Sequence, residues 1–271
     1  MRTVRVFPRR TAFTPRDEYA FVGDPPMLRP EAQEVHISVT FTWDCQEADH
    51  LALAWAQYYP TVRIGGPAIG RYTNGFTPGE YIRQGVTFTS RGCNNRCPWC
   101  LVPKQEGRLR EIPIHSGNIV QDNNLLQCGG KHLRSVFRML RQERQVQFTG
   151  GLDSRLITDR VAEDLRTLRI SQLFLACDTR QAIKPLGVAV KKLNGLSRDK
   201  LRCYVLLAYN GESISEANER LREVWHAGAM PFAQLYQPPD RHIDYPQEWR
   251  QLARTWSRPA ATRAVMRQEA K

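Results

Sequence analysis

The sequence contains no apolar run of about 18 residues, the minimum for a helix that crosses a bilayer, so we expect no membrane span. The first residues, Met1–Phe7, include arginines but lack the apolar stretch of a secretory signal. The seven cysteines are an odd number, and three of them fall within the segment 93–100, which argues against a secreted disulfide framework. The sequence therefore predicts a cytoplasmic protein, kept reduced, that uses thiolates as ligands.

Acidic residues are the minority among the charged side chains. The 39 Lys and Arg residues outnumber the 27 Asp and Glu residues, which gives a formal net charge of +12 and a pI near 9.7. Such a surplus attracts anionic partners, either a nucleic acid or an anionic small-molecule substrate. Most of the basic residues are arginines, which a GC-rich coding sequence favours without any partner, so the charge alone leaves both interpretations open.

With 271 residues, of which 41% are hydrophobic, the chain is long enough for one large domain and a smaller one. We expect residues 1–80 to form the smaller domain, a Rossmann-like α/β unit. The β-branched run Val35–Thr42 indicates a strand, Cys45–Tyr59 a helix capped by Asp44, and Thr61–Ile64 a second strand. A strand, a helix and a strand with short links predict a parallel βαβ unit, and Val4–Phe7 predicts a further strand.

A passage rich in Gly and Pro, residues 65–79, predicts a boundary before the larger domain, 81–244. Short apolar runs alternate there with helical patterns, as expected for a parallel sheet with both faces covered. The predicted strands are Val86–Ser90, Asn118–Gln121, Val146–Thr149, Ser171–Cys177, Leu201–Ala208 and Phe232–Tyr236, and the predicted helices are Lys131–Arg144, Ile157–Arg169, Arg180–Lys192 and Ile214–Ala227. This alternation fits a complete or partial parallel barrel or a doubly wound sheet. Residues 245–271 predict a basic helical tail with a loose end.

Three cysteines follow the first strand of this series, Cys93, Cys97 and Cys100, in the spacing C-x3-C-x2-C. Three thiolates on a tight loop can bind a cubane iron–sulfur cluster through three of its irons and leave the fourth iron open. An open metal position is typical of a catalytic site. The alternative is a zinc site with Cys128 or His115 as the fourth ligand, but the sequence lacks the paired spacing typical of zinc sites.

With Trp99 in the aromatic position, the segment Cys93–Cys100 resembles the signature of the radical S-adenosylmethionine (SAM) enzymes. The resemblance covers this segment, the strand before it and the series of strands and helices after it. It implies a partial (β/α)6 barrel with a [4Fe–4S] cluster on the three cysteines and SAM bound to the fourth iron. It also implies reductive cleavage of SAM to a 5′-deoxyadenosyl radical, with an electron donor such as flavodoxin or ferredoxin. The substrate is not indicated.

Gly150 and Gly151, after the predicted third strand, resemble the Gly-Gly-Glu motif that receives the amino group of SAM in this family. Leu152 stands in the acidic position and Asp153 follows it, and a plain strand-end turn is the alternative. Parallel barrels bind ligands at the carboxyl ends of their strands. Further polar residues at these ends are therefore candidates to bind SAM or substrate, and Asp178 is the strongest of them. These residues are Asn123, Asp178 and Gln234, with Asp122, Asn124, Arg180, Asn210 and Gln237. For each of them a turn or helix-cap role is the alternative.

The predicted N-terminal unit resembles a shortened cobalamin-binding-type domain, which precedes the barrel in one group of radical SAM enzymes. The sequence lacks the motif Asp-x-His-x-x-Gly of base-off cobalamin binding. A cobalamin-dependent radical methyltransferase is therefore an alternative to a radical SAM enzyme with a plain Rossmann-like unit. The tRNA methylthiotransferases share this layout, but they have a second three-cysteine cluster near the N-terminus. Only Cys45 precedes Cys93 in this sequence, which disfavours that family.

Arg134, Arg138 and Arg141 recur at positions i, i+4 and i+7 of one predicted helix, opposite Leu133 and Phe137. Such a stripe either follows a phosphate backbone or is the solvated face of an amphipathic helix, and the pattern alone favours the solvated face. The sequence shows no RNA-binding motif with paired aromatic residues. A non-catalytic, zinc-stabilised nucleic-acid-binding module is thus the alternative from a different functional class.

Overall fold

The computed structural model describes residues 2–69 and 81–269. The chain forms two compact units, and the division falls between Val86 and Thr87. Unit 1 comprises Met1–Val86, Leu101–Gly107 and Pro239–His242, and unit 2 comprises Thr87–Cys100, Arg108–Pro238 and Ile243–Lys271. Most of the passage predicted as the boundary lies outside the described residues. Among the helices of the described residues, none has the length and apolar content that a membrane crossing requires.

Strands and helices alternate along most of the chain. The strands are β1 (Thr3–Phe7), β2 (Ala20–Val22), β3 (Glu34–Ser38), β4 (Val62–Gly65), β5 (Val86–Thr87), β6 (Ser90–Arg91), β7 (Arg110–Glu111), β8 (Ile119–Val120), β9 (Val146–Leu152), β10 (Ile170–Ala176), β11 (Leu201–Leu207) and β12 (Met230–Leu235). The helices are α1 (Cys45–Ala56), α2 (Val102–Gln105), α3 (Gly130–Gln142), α4 (Asp159–Arg166), α5 (Ile183–Lys192), α6 (Ile214–His226), α7 (Gln247–Ser257) and α8 (Pro259–Glu269).

Unit 1 contains a four-stranded parallel sheet in the order β2-β1-β3-β4. Its core joins apolar residues of β1 and β3 to α1, where Leu51 and Trp55 are fully buried. The predicted parallel βαβ unit is confirmed, although β3 ends at Ser38 instead of Thr42. Asp44 occupies the N-cap position of α1, as predicted, but its carboxylate makes no capping hydrogen bond and instead accepts one from Arg9 Nε at 2.7 Å.

Unit 2 contains a six-stranded sheet in the order β5-β8-β9-β10-β11-β12. The pairings from β8 to β12 are all parallel. The predicted α/β class with parallel sheets is confirmed. The strand order follows the chain without a reversal, whereas a doubly wound sheet reverses at a switch point. The carboxyl ends of its parallel strands therefore meet at one edge in chain order.

The core of unit 2 lies between one face of this sheet and the helices. Alternate residues of β11 are buried in it, as a strand period of two dictates: Leu201, Cys203, Val205 and Leu207. The predicted helices are confirmed with shifted ends. Helix α4 begins at Asp159 because the Thr158 hydroxyl caps it by accepting a hydrogen bond from Val161 N. The predicted helical tail is confirmed as α7 and α8, but the expected loose end is wrong as far as Glu269, because the two helices bury Trp256 and Met266 in the same core.

Candidate functional site

The three clustered cysteines lie on the segment Gly92–Cys100 that follows β6, which we call the cysteine loop. Cys93, Cys97 and Cys100 are half-buried and form no disulfide. Gly92 enters the loop with φ +80°, a conformation that favours glycine. The loop turns tightly, since Cys100 N donates to the Cys97 carbonyl at 3.0 Å. Nowhere in residues 2–69 and 81–269 do three His, Cys, Asp or Glu side chains form a group that holds a single metal ion.

Side chains that follow β8 and β9 hold the first half of the loop. Gly92 N donates to Asn123 Oδ1 at 3.0 Å, and Asn123 follows β8. Asn95 Nδ2 donates to Asp153 Oδ2 at 3.2 Å, and Asp153 follows β9. Two of the predicted ligand residues, Asn123 and Asp153, therefore position the cysteine loop itself.

Side chains that follow β10 and β11 contact the second half of the loop. The Trp99 indole N–H donates to Asp178, which also accepts a hydrogen bond from Leu206 N at 3.3 Å. Burial raises the pKa of Asp178, although these hydrogen bonds and the charge of Arg220 act to lower it. The rings of Trp99 and Tyr209 meet edge to face, with centroids 5.5 Å apart. The cysteine loop thus contacts the residues that follow four consecutive strands, β8 to β11.

Asp122 anchors the base of the loop. It is 2% exposed and accepts three hydrogen bonds: from Thr89 N at 2.7 Å, from Thr89 Oγ1 at 2.6 Å and from Ser90 Oγ at 2.7 Å. Burial raises the pKa of Asp122, and these hydrogen bonds partly offset that effect. With both oxygens occupied, Asp122 is a structural link between the ends of β8 and β5, and we no longer assign it to a ligand.

Gly150 and Gly151 directly precede Leu152, the last residue of β9, and therefore lie inside the strand, not in a turn after it. A Cβ atom on Gly150 would lie 1.9 Å from the carbonyl oxygen of Asp122, which no side chain tolerates. Gly151 has φ +87°, and a Cβ atom there would touch the Tyr204 ring at 3.4 Å. Gly150 is therefore required by the close approach of the Asp122 backbone, and Gly151 is required by its positive φ.

Arg155 and Asp153 form an ion pair beside the thiols. The Asp153 carboxylate accepts hydrogen bonds from Arg155 Nε at 2.9 Å and Nη2 at 2.6 Å. Burial opposes ionisation of Asp153, but the hydrogen bonds from Arg155 and Asn95 prevail and lower its pKa. Arg155 is near enough to Cys93 and Cys97 to be attracted by their thiolates. Burial raises the pKa of Cys97, as do the charges of Cys100 and Asp178, and Arg155 opposes that rise.

Asn124 and Gln127 are the remaining polar contacts of the loop. Asn124 is 5% exposed and its Nδ2 donates to Cys93 Sγ at 3.8 Å, while its Oδ1 is buried without a hydrogen-bond partner. Gln127 accepts from Asn94 N at 2.8 Å and donates to Asn95 Oδ1 at 3.0 Å. The roles of Gln127 and Arg155 were not predicted from the sequence, because both residues contact a loop that is distant along the chain.

The other nominated residues lie outside these contacts. Gln234 is exposed on β12. Gln237 is bonded through both side-chain atoms to the backbone of Ile243, and Arg180 forms an ion pair with Glu219. Asn210 has φ +56°, the conformation of a turn residue, so its turn alternative is correct. Cys128 is buried, which raises its pKa to about 11, and its thiol lies by the Ser90 hydroxyl.

A scan against protein-family models and a search of curated proteins both return no match. The cysteine loop and its contacts are therefore the basis for any function assigned to this chain.

Proposed function

We propose that this chain is a cytoplasmic radical SAM enzyme that binds a [4Fe–4S] cluster through Cys93, Cys97 and Cys100. The observation that carries the proposal is the cysteine loop with its C-x3-C-x-Trp-C spacing, which contacts the residues after four consecutive parallel strands. The carboxyl ends of parallel strands are where α/β folds bind ligands.

The donor set fits a cubane better than a single zinc ion. Structural zinc sites typically show two closely spaced pairs of ligands, and the spacing C-x3-C-x2-C lacks that pairing. Three thiolates can instead bind three irons of a cubane, each at its own corner. The loop supplies three cysteines that form no disulfide and has no fourth cysteine, which fits a cluster with one open iron.

The strand order supports the finer interpretation of unit 2 as a partial (β/α)6 barrel. Six strands in chain order, without reversal, are the pattern of a barrel wall. Such a wall collects the strand ends around one mouth, and the cysteine loop contacts residues from that edge. The proposed barrel places Gly150, Gly151 and Asp178 at the mouth, where SAM would bind.

When bound, the cluster supplies the electron that cleaves SAM to methionine and a 5′-deoxyadenosyl radical. The residues of this chain would bind and orient the reactants. The three thiolates would hold the cluster, with the positive charge of Arg155 offsetting part of their negative charge. The backbone of Gly150 and Gly151 would receive the SAM amino group. Asn123, Asp178 and Gln234 would offer polar contacts to SAM or to an anionic substrate, and Asp153 would hold Arg155.

The test is anaerobic reconstitution of the full chain with iron and sulfide. We expect about four irons per chain, broad visible absorption, and release of 5′-deoxyadenosine and methionine from SAM on reduction with dithionite. Replacing Cys93, Cys97 and Cys100 together by Ala should abolish all three signals. Cys45→Ala, which removes a free thiol of unit 1, is the matched control and should leave them unchanged. One zinc per chain and no iron would overturn the proposal.

The sheet of unit 1 supports a second candidate, a cobalamin-dependent radical methyltransferase. Its order β2-β1-β3-β4 reverses between β1 and β3, which is the switch point of a Rossmann-like unit. Incubation with hydroxocobalamin followed by gel filtration tests this candidate. A cobalt-corrin spectrum that travels with the protein supports it, and a spectrum that stays with the small molecules rejects it.

A further inference from the structure

A basic groove of about 350 Å³ runs between α3 and α4 on the surface of unit 2. We call it the arginine groove. Four arginines, two carboxylates and a threonine line it: Arg134, Arg138, Arg141, Arg160, Glu163, Asp164 and Thr167. No apolar side chain contributes to this lining. The three arginines of the sequence stripe on α3 are therefore joined by a fourth from a different helix.

Three of the four guanidinium groups are unpaired within the described chain. Arg134, Arg138 and Arg160 are exposed and make no hydrogen bond or ion pair with any described residue. Arg141 differs, because its Nη2 donates to Asp164 at 2.6 Å and its Nε donates to Thr167 Oγ1 at 3.1 Å. One carboxylate of the lining is thus already neutralised, and three free cations face a single remaining carboxylate, Glu163.

Helix stability does not account for this arrangement. Like charges at positions i and i+4, such as Arg134 and Arg138, destabilise an isolated helix. The sequence of α3 contains no acidic residue that would offset the repulsion. The solvated-face interpretation also gives no reason for Arg160 of α4 to face the same groove. An anionic partner would remove the repulsion that the chain itself leaves uncompensated.

The spacing of the stripe matches the backbone of a nucleic acid. Arg134 and Arg138, the two unpaired members of the stripe, lie four residues apart on α3, about 6 Å along the helix axis, which is close to the axial length of about two nucleotides of one strand. The planar guanidinium group binds phosphate oxygens in a two-pronged geometry. An acidic protein is a poorer match, because the centre of a protein interface is depleted of charged side chains, whereas six of the seven side chains that line this groove are charged.

We propose that the arginine groove binds the phosphate backbone of a nucleic-acid strand. The interaction goes beyond the proposed radical SAM function and does not require the cluster. Arg134, Arg138 and Arg160 make the phosphate contacts, and Arg141 keeps α3 and α4 together through Asp164. Because the groove offers charge and no flat aromatic surface, binding is independent of base sequence.

The test measures fluorescence anisotropy of a labelled single-stranded RNA of about 20 nucleotides, titrated with the full chain between about 50 and 200 mM salt. The test variant replaces Arg134, Arg138 and Arg160 by Gln. Each phosphate contact contributes about 0.7 to the slope of log affinity against log salt for single strands, so we expect the slope to fall by about 2. Affinity at the lowest salt should fall at least tenfold.

The matched control replaces Lys200, Arg254 and Arg267 by Gln, which removes the same charge from exposed residues of unit 2 that have no ion pair in the described chain. It should bind RNA within about twofold of the parent chain and keep the salt slope. A DNA strand of the same sequence should bind similarly, because the groove recognises phosphate.

Two results overturn the proposal: no binding of RNA or DNA by the parent chain, or equal losses in the groove and control variants. The second result means that net charge alone attracts the strand. Circular dichroism confirms that both variants are folded. The measurement uses the chain both with and without reconstituted iron, so failure here is distinct from failure of the radical SAM proposal.

Discussion

At the scale of single residues, Gly150 is the position with the least room for change. Its Cα lies so close to the carbonyl oxygen of Asp122 that an added Cβ would be 1.9 Å from it. We expect Gly150→Ala to separate β8 from β9 and to lower the free energy of unfolding by more than about 3 kcal/mol, as overpacking against backbone does. The midpoint of urea unfolding measures the loss.

Gly187→Ala is the matched control for this change. Gly187 lies in α5 and an added Cβ meets no atom within 4 Å. Alanine is the better helix former, so this variant should gain roughly 0.5–1 kcal/mol. Equal stability of the two variants would contradict the close approach of the strands at Gly150.

Asn124 is the residue with the clearest effect on a bound cluster. Its Nδ2 donates to Cys93 Sγ at 3.8 Å from a nearly buried position. Hydrogen bonds to ligand sulfur stabilise the reduced cluster, so Asn124→Ala should make the midpoint potential of the reconstituted cluster more negative. Spectroscopic redox titration measures it. This prediction rests on the proposed function.

Asn118→Ala is the control for Asn124. Asn118 Nδ2 donates to the Gln145 carbonyl at 3.2 Å and has no contact with the cysteine loop. Its removal should leave the potential unchanged. An unchanged potential in Asn124→Ala with full iron content would show that the contact with Cys93 has no electronic role.

At the scale of elements, α6 has the most complete helix start in the chain. Ser213 caps the helix, and the Glu216 side chain accepts a hydrogen bond from Ser213 N at 2.8 Å, which together form a capping box. Ser213→Ala should lower the free energy of unfolding by about 1 kcal/mol.

Ser135→Ala, inside α3, is the control, because its hydroxyl bonds only to the Lys131 carbonyl and its loss costs little. Thermal unfolding of the two variants at equal concentration separates these outcomes, and a matched shift would mean that the cap contributes nothing.

The elements also show what local sequence patterns can and cannot predict. Strands β10 and β11 were predicted within a residue or two because each is a predominantly apolar run of seven residues. Strand β2 was missed, since its three residues, Ala20–Val22, are too few to show a period and are only half buried. Strand β6 was merged with β5, because two-residue pairings depend on distant partners.

At the scale of the whole molecule, the core of unit 2 extends from β8 to α8 and includes the segment that the sequence predicted as a loose tail. Trp256 is 1% exposed, and its indole N–H donates to Asn218 Oδ1 at 3.1 Å. Trp256→Ala should lower the free energy of unfolding by about 3–5 kcal/mol. Trp249→Ala, at a half-buried position of the same helix, should cost clearly less. Chemical denaturation followed by circular dichroism ranks the two, and a smaller loss at Trp256 would contradict its place in the core.

The site was predictable to the extent that it is local in sequence. The spacing of Cys93, Cys97 and Cys100 is a property of eight consecutive residues, and the sequence alone revealed it. The roles of Asp122 and Arg155 were not predictable, because they depend on which strand ends meet. Asp122 was nominated as a ligand for its position after β8, yet it is the partner of Thr89 and Ser90.

The cysteine loop depends on contacts that are far apart in the chain, and this has a consequence for the order of biogenesis. Its neighbours Asn123, Asp153, Asp178 and Tyr209 are synthesised long after the cysteines themselves. The three thiols therefore reach their final spacing only after translation has passed β11 and the sheet has formed. Iron and sulfide delivered to a nascent chain would meet an unshaped loop. We therefore expect the proposed cluster to be loaded onto the folded apoprotein and not onto the nascent chain.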